Sequence, residues 1–412
     1  MHFNYEDQCE HFIKMSTFLG FIEEIPGISV DRFNEKNCDS SIYFLSHCHT
    51  DHMQGLTNQF FKHLQQCNRY LYCSEISKTF LQAKYRYTDT CVKHIDIDKK
   101  ELLEYKSDMN KNDNVDVLYV TCISAGHCPG SVMFLFEKTD KLILYTGDFR
   151  LDPRSYKDIV PLHFQRNFNE FPRKLAQIYL DTTFLDPNYT FLPSRKESIR
   201  AICKVTTKWL KDNSKNIVVL ECPALYGYES IYIELSKALN ECIHIKDFVS
   251  ENYYSIPHLA RYVTNDPQTR IHACTNKNER SGLKCRSIPE ENILFIVPSV
   301  LQWEKKDASV IEEWNNARER TYNVCFSTHA SFDELKKFIL YFKPEKIHPC
   351  VCPPGFERKI YSLLNEIQSK IGKEKNVVQN CENYTLQILE QVEVTNKQWI
   401  KHYFHKVNKN YS

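Results

Sequence analysis

His47, His49, Asp51 and His52 place three imidazoles and a carboxylate within six residues, directly after the apolar run Ser41-Ile42-Tyr43-Phe44-Leu45. Neutral imidazole suits zinc, and an added carboxylate tolerates harder ions. His47 and His49, two residues apart, can bind one ion, while Asp51 and His52 can reach a second. One histidine in a turn is usually just a surface residue. Four potential ligands at this spacing favour metal.

Two later segments can complete such a site. In Ala125-Gly126-His127-Cys128-Pro129-Gly130-Ser131, glycines on both sides of His127 let the backbone turn tightly and leave the imidazole pointing outward, as a third ligand requires. The run Leu142-Ile143-Leu144-Tyr145 then leads to Asp148, an acid that can bridge two ions. Gly27–Phe33 reads as a short strand carrying one acid, Asp31; a lone acid at a strand end is usually a turn former, and its functional reading is support of a ligand histidine.

The elements that must position these residues alternate between strand and helix patterns. Ser41–Leu45 reads as a buried strand with the ligands at its end, and a helical pattern runs from Met53 to Cys67. Arg69–Cys73 reads as a strand and Ser74–Lys84 as a helix. Lys106–Asn114, whose one apolar residue is Met109, reads as a solvated loop. Asp116–Thr121, Val132–Phe136 and Leu142–Tyr145 read as further strands.

In the middle of the chain, Ser194-Arg195-Lys196-Glu197 is a capping box. Ile199, Ile202, Cys203, Thr206, Trp209 and Leu210 follow at helical spacing. Strand-like Asn216–Leu220, helix-like Glu229–Leu239 and strand-like Cys242–Ile245 come next, which is the pattern of a βαβ unit laid over the metal face. Ser331–Phe342 reads as an amphipathic helix and Ile347–Cys352 as a strand. Within the middle segment, His244, His272, Cys274 and Cys285 have the types of a closed His₂Cys₂ zinc site. Cysteine is frequent in this chain and often merely buried, so spacing alone leaves both readings open.

The order His-x-His-x-Asp-His, then Gly-His-Cys-Pro-Gly-Ser, then Tyr-Thr-Gly-Asp-Phe-Arg resembles the metallo-β-lactamase superfamily, in particular its DNA-processing nuclease branch. The resemblance runs from about Met15 to the 350s. Leu180-Asp181-Thr182-Thr183-Phe184 resembles the acidic motif that opens the β-CASP insertion, and Phe326-Ser327-Thr328-His329-Ala330-Ser331 its histidine motif. Val351 stands where RNA-processing members carry another histidine, so the resemblance implies a DNA substrate. Ser29–Phe33, Tyr226-Gly227-Tyr228-Glu229 and Ile271–Cys274 are most similar to the hairpin-opening endonucleases of end joining.

What this resemblance implies is specific. The expected fold is a four-layer αββα sandwich in two parts, 28–184 and 324–390, interrupted by an α/β β-CASP domain at 185–323. An extension at 1–27 precedes it, with Met15 an alternative start, and a basic and aromatic segment at 391–412 follows. His47, His49, His127 and Asp148 would hold one Zn2+; Asp51, His52 and Asp148 would hold a second ion, zinc or the harder Mg2+ or Mn2+. Asp31 and Asp181 would orient ligand histidines, and His329 would contact the scissile phosphate or protonate the leaving oxygen. All four positions of a structural zinc, His244, His272, Cys274 and Cys285, match as well. The implied activity is a structure-selective endonuclease acting on DNA hairpins, overhangs and single-stranded ends in double-strand break repair, leaving a 5′ phosphate and a 3′ hydroxyl. A DNA-damage kinase and the end-joining ligase complex are the implied partners, and the nucleus the implied location. A 5′-to-3′ exonuclease of crosslink or telomere repair is the alternative within the branch. A non-catalytic DNA-binding scaffold is the alternative outside it, with the expected mark of a broken ligand set.

Composition bounds these readings. A chain of 412 residues is long for one core, and a formal net charge of +1 requires any nucleic-acid footprint to be a local patch or groove. The 17 cysteines are odd in number and scattered, which suits reduced thiols in cytosol or nucleus rather than a disulfide framework. No apolar stretch approaches membrane-spanning length, and the first residues lack a secretory leader pattern. Near the end, Lys397, Trp399, Lys401, Tyr403, Phe404, Lys406 and Lys409 interleave cations with aromatics. That composition suits base stacking beside phosphates, but the helical stripe Trp399, Ile400, Tyr403, Phe404 and Val407 reads first as a core-packing face.

Overall fold

The structure is a computed structural model that describes residues 16–107, 115–139, 141–166, 169–274, 283–304, 306 and 309–371. The chain divides into two units, Met1–Ile360 and Tyr361–Ser412. In the second, residues 361–371 are helical. Residues 1–15, the Met109 loop from 108 to 114 and the segment 391–412 lie outside the described residues, as do 372–390.

A four-stranded parallel sheet is built from Ile28–Val30, Ile42–Phe44, Tyr70–Cys73 and Val92–His94. Its central strand is buried on both faces, which explains why Ile42-Tyr43-Phe44 reads as a continuous apolar run. On one face, Tyr43, Leu45 and Leu71 pack with Phe60, Phe61 and Leu64 of the helix Asn58–Gln66 and Leu81 of the helix Glu75–Lys84. On the other, Ile42 and Phe44 meet a six-stranded sheet, with Phe44 5.3 Å from Phe134 and 5.0 Å from Phe136 between ring centroids. Each such fully buried ring contributes about 1.5–3 kcal/mol of apolar transfer.

The six-stranded sheet runs in the order Lys346–Pro349, Gln177–Leu180, Lys141–Tyr145, Val132–Lys138, Asp116–Ser124, Lys100–Tyr105. The last four of these form an antiparallel meander, and the first two add in parallel. Its outermost strand at one edge comes from late in the sequence. Everything between Leu180 and Lys346 is therefore an excursion from this sheet. Helix Phe332–Phe342 returns the chain, with Phe338 4.9 Å from Phe149 between ring centroids.

That excursion carries a seven-stranded sheet in the order Val263–Thr264, Ile243–His244, Ile271–His272, Ile217–Leu220, Ile293–Pro298, Thr321–Val324, Glu312–Trp314. All pairs are parallel except the last. The capping box at Ser194 starts the helix Arg195–Asp212, which buries Ile199, Ile202, Thr206 and Leu210; Glu229–Leu239 is the next helix. The result is a mixed α/β fold with several sheets, consistent with a metallo-β-lactamase-like architecture. Among the described residues every cysteine is free, and no helix is long and apolar enough to cross a membrane.

The strand expected over Ile347–Cys352 ends at Pro349 and that over Cys242–Ile245 is only Ile243–His244, and two elements beside the candidate ligands are also shorter than their patterns. The helix expected from Met53 begins only at Asn58, capped by Thr57, so Asp51 and His52 lie in turns. Gly55 forces this: its φ is +96°, and a side chain there would strike the backbone of Phe33 and Asn34. The strand expected over Gly27–Phe33 stops at Val30, because Asp31 turns the chain with φ +54°.

Candidate metal centre

The ligands expected first do converge. One nitrogen or oxygen each from His47, His49, His127 and Asp148 lie within 4.8 Å of one another, and so do atoms of Asp31, His47 and His52, and of Asp148, Asp181 and His329. Asp148 is common to the first and third groups. His52 Nε2 is 3.2 Å from Asp148 and 3.6 Å from Asp51, which places Asp51 beside the carboxylate that joins the groups. Sheet ends supply all of them: His47 follows Phe44, His127 follows Ser124, and Asp148 follows Tyr145.

The outer nitrogens fix which inner nitrogen is free. A carbonyl or carboxylate only accepts, so His127 Nδ1 donates to the Thr328 carbonyl at 3.0 Å and His49 Nε2 to the Tyr226 carbonyl at 3.2 Å. The facing atoms, His127 Nε2 and His49 Nδ1, are then both lone-pair acceptors, yet they stand 3.0 Å apart. Two acceptors repel at that distance unless a cation lies between them. His47 Nε2 and His52 Nε2 are likewise buried with no aligned hydrogen-bond partner, although Asp148 oxygens lie 3.5 and 3.2 Å away. Such orphans are rare in a folded interior and point to an ion. The donor set therefore fits divalent metal.

Electrostatics agrees at His47, His49 and His127. Burial, reinforced by the neighbouring imidazoles, holds His47 and His127 well below the usual histidine pKa, which keeps them neutral for coordination. Burial also lowers His49, against the pull of Asp148 and Asp51. At His52, burial works against the charged form but the carboxylates Asp148, Asp51 and Asp31 outweigh it.

Behind these groups stands a second layer. Asp31, only 4% exposed, accepts from His52 Nδ1 at 2.7 Å, from Ser46 N at 2.7 Å and Ser46 Oγ at 2.5 Å, and from Tyr145 Oη at 2.8 Å. Asp181 accepts from His329 Nδ1 at 2.9 Å, with His329 Nε2 3.9 Å from Asp148. Burial opposes the charged form of His329 too, but Asp181 and Asp148 raise it. The backbone N–H of Ser16 donates to Asp51 at 3.2 Å. Val351 is buried, and its N–H and carbonyl bond the Thr182 hydroxyl at 3.0 and 2.6 Å.

Sequence reasoning missed the carbonyls of Tyr226 and Thr328 and the residues that hold them. Arg195 donates to the carbonyls of Ser327 at 3.3 Å and Thr328 at 3.2 Å, and Arg150 donates to Ser327 O at 3.1 Å and to Glu334. The capping box singled out Arg195 for another reason, and a backbone acceptor leaves no mark on residue type. Of the candidate ligands, His49, Asp51, His127 and Asp148 line a cleft of about 620 Å³ that is also walled by Phe80, Lys84, Phe184, Tyr226, Phe326 and His329 among others.

A separate group lies in the seven-stranded sheet. His244 and His272 face each other across paired strands with Nδ1 atoms 3.0 Å apart, and the sulfurs of Cys274 and Cys285 are 3.7 Å apart. His272 Nε2 donates to the Thr269 carbonyl at 2.9 Å, so its Nδ1 is the free nitrogen, 3.4 Å from Cys285 and 3.9 Å from Cys274. Burial and His244 lower His272 to about 4. The group can hold a divalent metal.

Comparison with known proteins follows the same lines. Residues 257–355 match the family described as DNA repair metallo-beta-lactamase. The chain is 33% identical over 354 residues to "Protein artemis" of Rattus norvegicus, across 83% of this chain and 49% of that protein. It is 34% identical over 356 residues to "Protein artemis" of Danio rerio, across 83% and 54%. To the "DNA cross-link repair 1A protein" of Mus musculus it is 27% identical over 356 residues, across 82% and 31%. The chain thus spans about half the length or less of these curated relatives. Ligand order, convergence and similarity along most of its length agree: the chain belongs to the metallo-β-lactamase/β-CASP nuclease family.

Proposed function

We propose that this chain is a metal-dependent hydrolase of DNA phosphodiester bonds, a structure-selective endonuclease that processes hairpins and overhangs in double-strand break repair. The observation that carries the reading is the convergence of His47, His49, His127 and Asp148, with Asp148 also 3.2 Å from His52 Nε2 and with partnerless buried nitrogens on His47 and His52. The similarity to the artemis proteins supports the choice of substrate. The intact ligand set disfavours a non-catalytic scaffold. Nuclear location and contact with a DNA-damage kinase and an end-joining ligase complex belong to the same proposal. So do the architecture and its bounds: a four-layer αββα sandwich from 28–184 and 324–390, with a β-CASP domain at 185–323.

His47, His49, His127 and Asp148 would hold one zinc ion; Asp51, His52 and Asp148 would hold a second ion, zinc, Mg2+ or Mn2+. Bound there, such ions acidify water and neutralise phosphate charge. Asp31 holds the His52 ring in place through Nδ1, leaving Nε2 for coordination. His329, which hydrogen-bonds Asp181 through Nδ1 and lines the cleft, contacts the scissile phosphate or gives its Nε2 proton to the leaving oxygen. The cut leaves a 5′ phosphate and a 3′ hydroxyl. His244, His272, Cys274 and Cys285 would hold a structural zinc. With Zn–S bonds near 2.3 Å, a tetrahedral S···S edge is about 3.8 Å, close to the observed 3.7 Å.

The test is product mapping on a sequencing gel with a 3′-labelled DNA hairpin and a 3′-labelled linear strand bearing a 5′ phosphate, each with and without chelator. Internal, chelator-sensitive cuts at or near the hairpin tip are expected. A ladder shortening from the 5′ end, with the hairpin intact, would replace this reading with the 5′-to-3′ exonuclease.

A further inference from the structure

The peptide unit between Tyr226 and Gly227 serves two partners at once. Its carbonyl accepts from His49 Nε2 at 3.2 Å, and its N–H donates to the two carboxylate oxygens of Glu229 at 3.0 and 2.9 Å. Among the described residues no peptide bond is cis. A trans unit holds its C=O and N–H on opposite edges, so imidazole and carboxylate sit at the two ends of one polarisable group. The order is imidazole N–H, carbonyl, amide N–H, carboxylate. It is the arrangement in which a carboxylate orients a ligand histidine, with one peptide interposed.

Three features make this more than a loop contact. Glu229 is 6% exposed, and a carboxylate is costly to bury unless its oxygens are satisfied. Here they are satisfied by Gly227 N–H and by the hydroxyl of Tyr253, itself fully buried. Asn252 holds the Tyr226 ring through its hydroxyl at 2.8 Å. Gly227 has φ +110°, and an added side chain there would crowd Thr328 at 3.0 Å, so the peptide is placed where only glycine fits.

We propose that Glu229 is a positioning residue for the first metal site, holding His49 through the Tyr226–Gly227 peptide in the tautomer whose Nδ1 faces the ion. The excursion between Leu180 and Lys346 would thereby set the metal affinity of a site whose four ligands all lie outside it. This rests on reading His47, His49, His127 and Asp148 as a metal site.

The experiment uses the full chain. Zinc affinity of the first site is measured by competition with a chromophoric chelator, and imidazole tautomers are read by long-range 1H–15N correlation on 15N-histidine-labelled protein. In the wild type, His49 should carry its proton on Nε2. Glu229→Ala should weaken zinc at the first site by roughly 10- to 100-fold, with zinc retained at the Cys274 and Cys285 group. Glu229→Gln keeps an acceptor for the Gly227 N–H and should recover most of that loss. A purely structural role would lower thermal stability and leave the affinity of the folded variant unchanged, which would overturn the proposal. So would a wild-type His49 protonated on Nδ1, a result that needs no variant to fold. Absence of zinc binding in the wild type would instead remove the metal-site reading itself, before any variant is compared.

Discussion

Asp31 Oδ2 lies 2.7 Å from His52 Nδ1, and the aspartate that makes this contact sits in the left-handed region with φ +54°. The two facts are connected. The turn that ends the strand Ile28–Val30 throws the carboxylate back beneath the ligand loop, where it also meets Ser46 and Tyr145. Asn tolerates the left-handed region nearly as well as Asp. Asp31→Asn should therefore keep the turn and lose the negative acceptor, weakening metal at the His52 site by roughly 10- to 100-fold. Manganese titration of the folded variant checks this; unchanged binding would refute the role of Asp31.

Asp51→Asn and His49→Ala should abolish cleavage while leaving the fold intact, because both residues lie in loops at the end of the sheet and outside its apolar core. Circular dichroism and the hairpin assay, run on the same preparations, decide it. Full activity in either variant would sink the ligand assignment.

Cys274→Ser should strip the metal from the group in the seven-stranded sheet and leave the first site loaded. Strands there are only two residues long at Ile243–His244 and Ile271–His272, so a cross-link between them supplies order that so few ladder bonds cannot. A lower unfolding midpoint with less bound zinc is the expected result, read by thermal melting and elemental analysis.

Arg195→Met should cost about 2 kcal/mol of unfolding free energy, the usual scale for hydrogen bonds from a charged donor to buried acceptors. The carbonyls of Ser327 and Thr328 lose their shared partner, and the loop carrying His329 loosens with them. Urea denaturation measures the first effect, and the hairpin cleavage rate, which should also fall, the second.

Phe44→Ala tests the contact between the four- and six-stranded sheets. A fully buried ring facing Phe134 and Phe136 should cost about 3–5 kcal/mol when removed. A urea unfolding curve gives the value directly.

The sequence by itself determined the types of the candidate ligands, their order and most of the elements that deliver them. Buried parallel strands demand unbroken apolar runs, so Ile42–Phe44 announced itself, and the ligands His47, His49, Asp51 and His52 follow it in the chain. The capping box at Ser194 sets the first turn of its helix, because a cap is a local event between residues three apart. Where long-range packing intervened, local pattern misled: the helix expected at Met53 waits until Asn58, because Gly55 must clear the backbone of Phe33.

Only the tertiary structure decided which groups hold the ligands still. Asp31 and His52 are 21 residues apart, His49 and Tyr226 are 177, and His127 and Thr328 are 201. Two of these three acceptors are backbone carbonyls, which every residue owns and no residue type reveals. Their selection depends on which turn of the excursion comes to rest against which imidazole, and that is fixed by the packing of sheets rather than by any spacing along the chain.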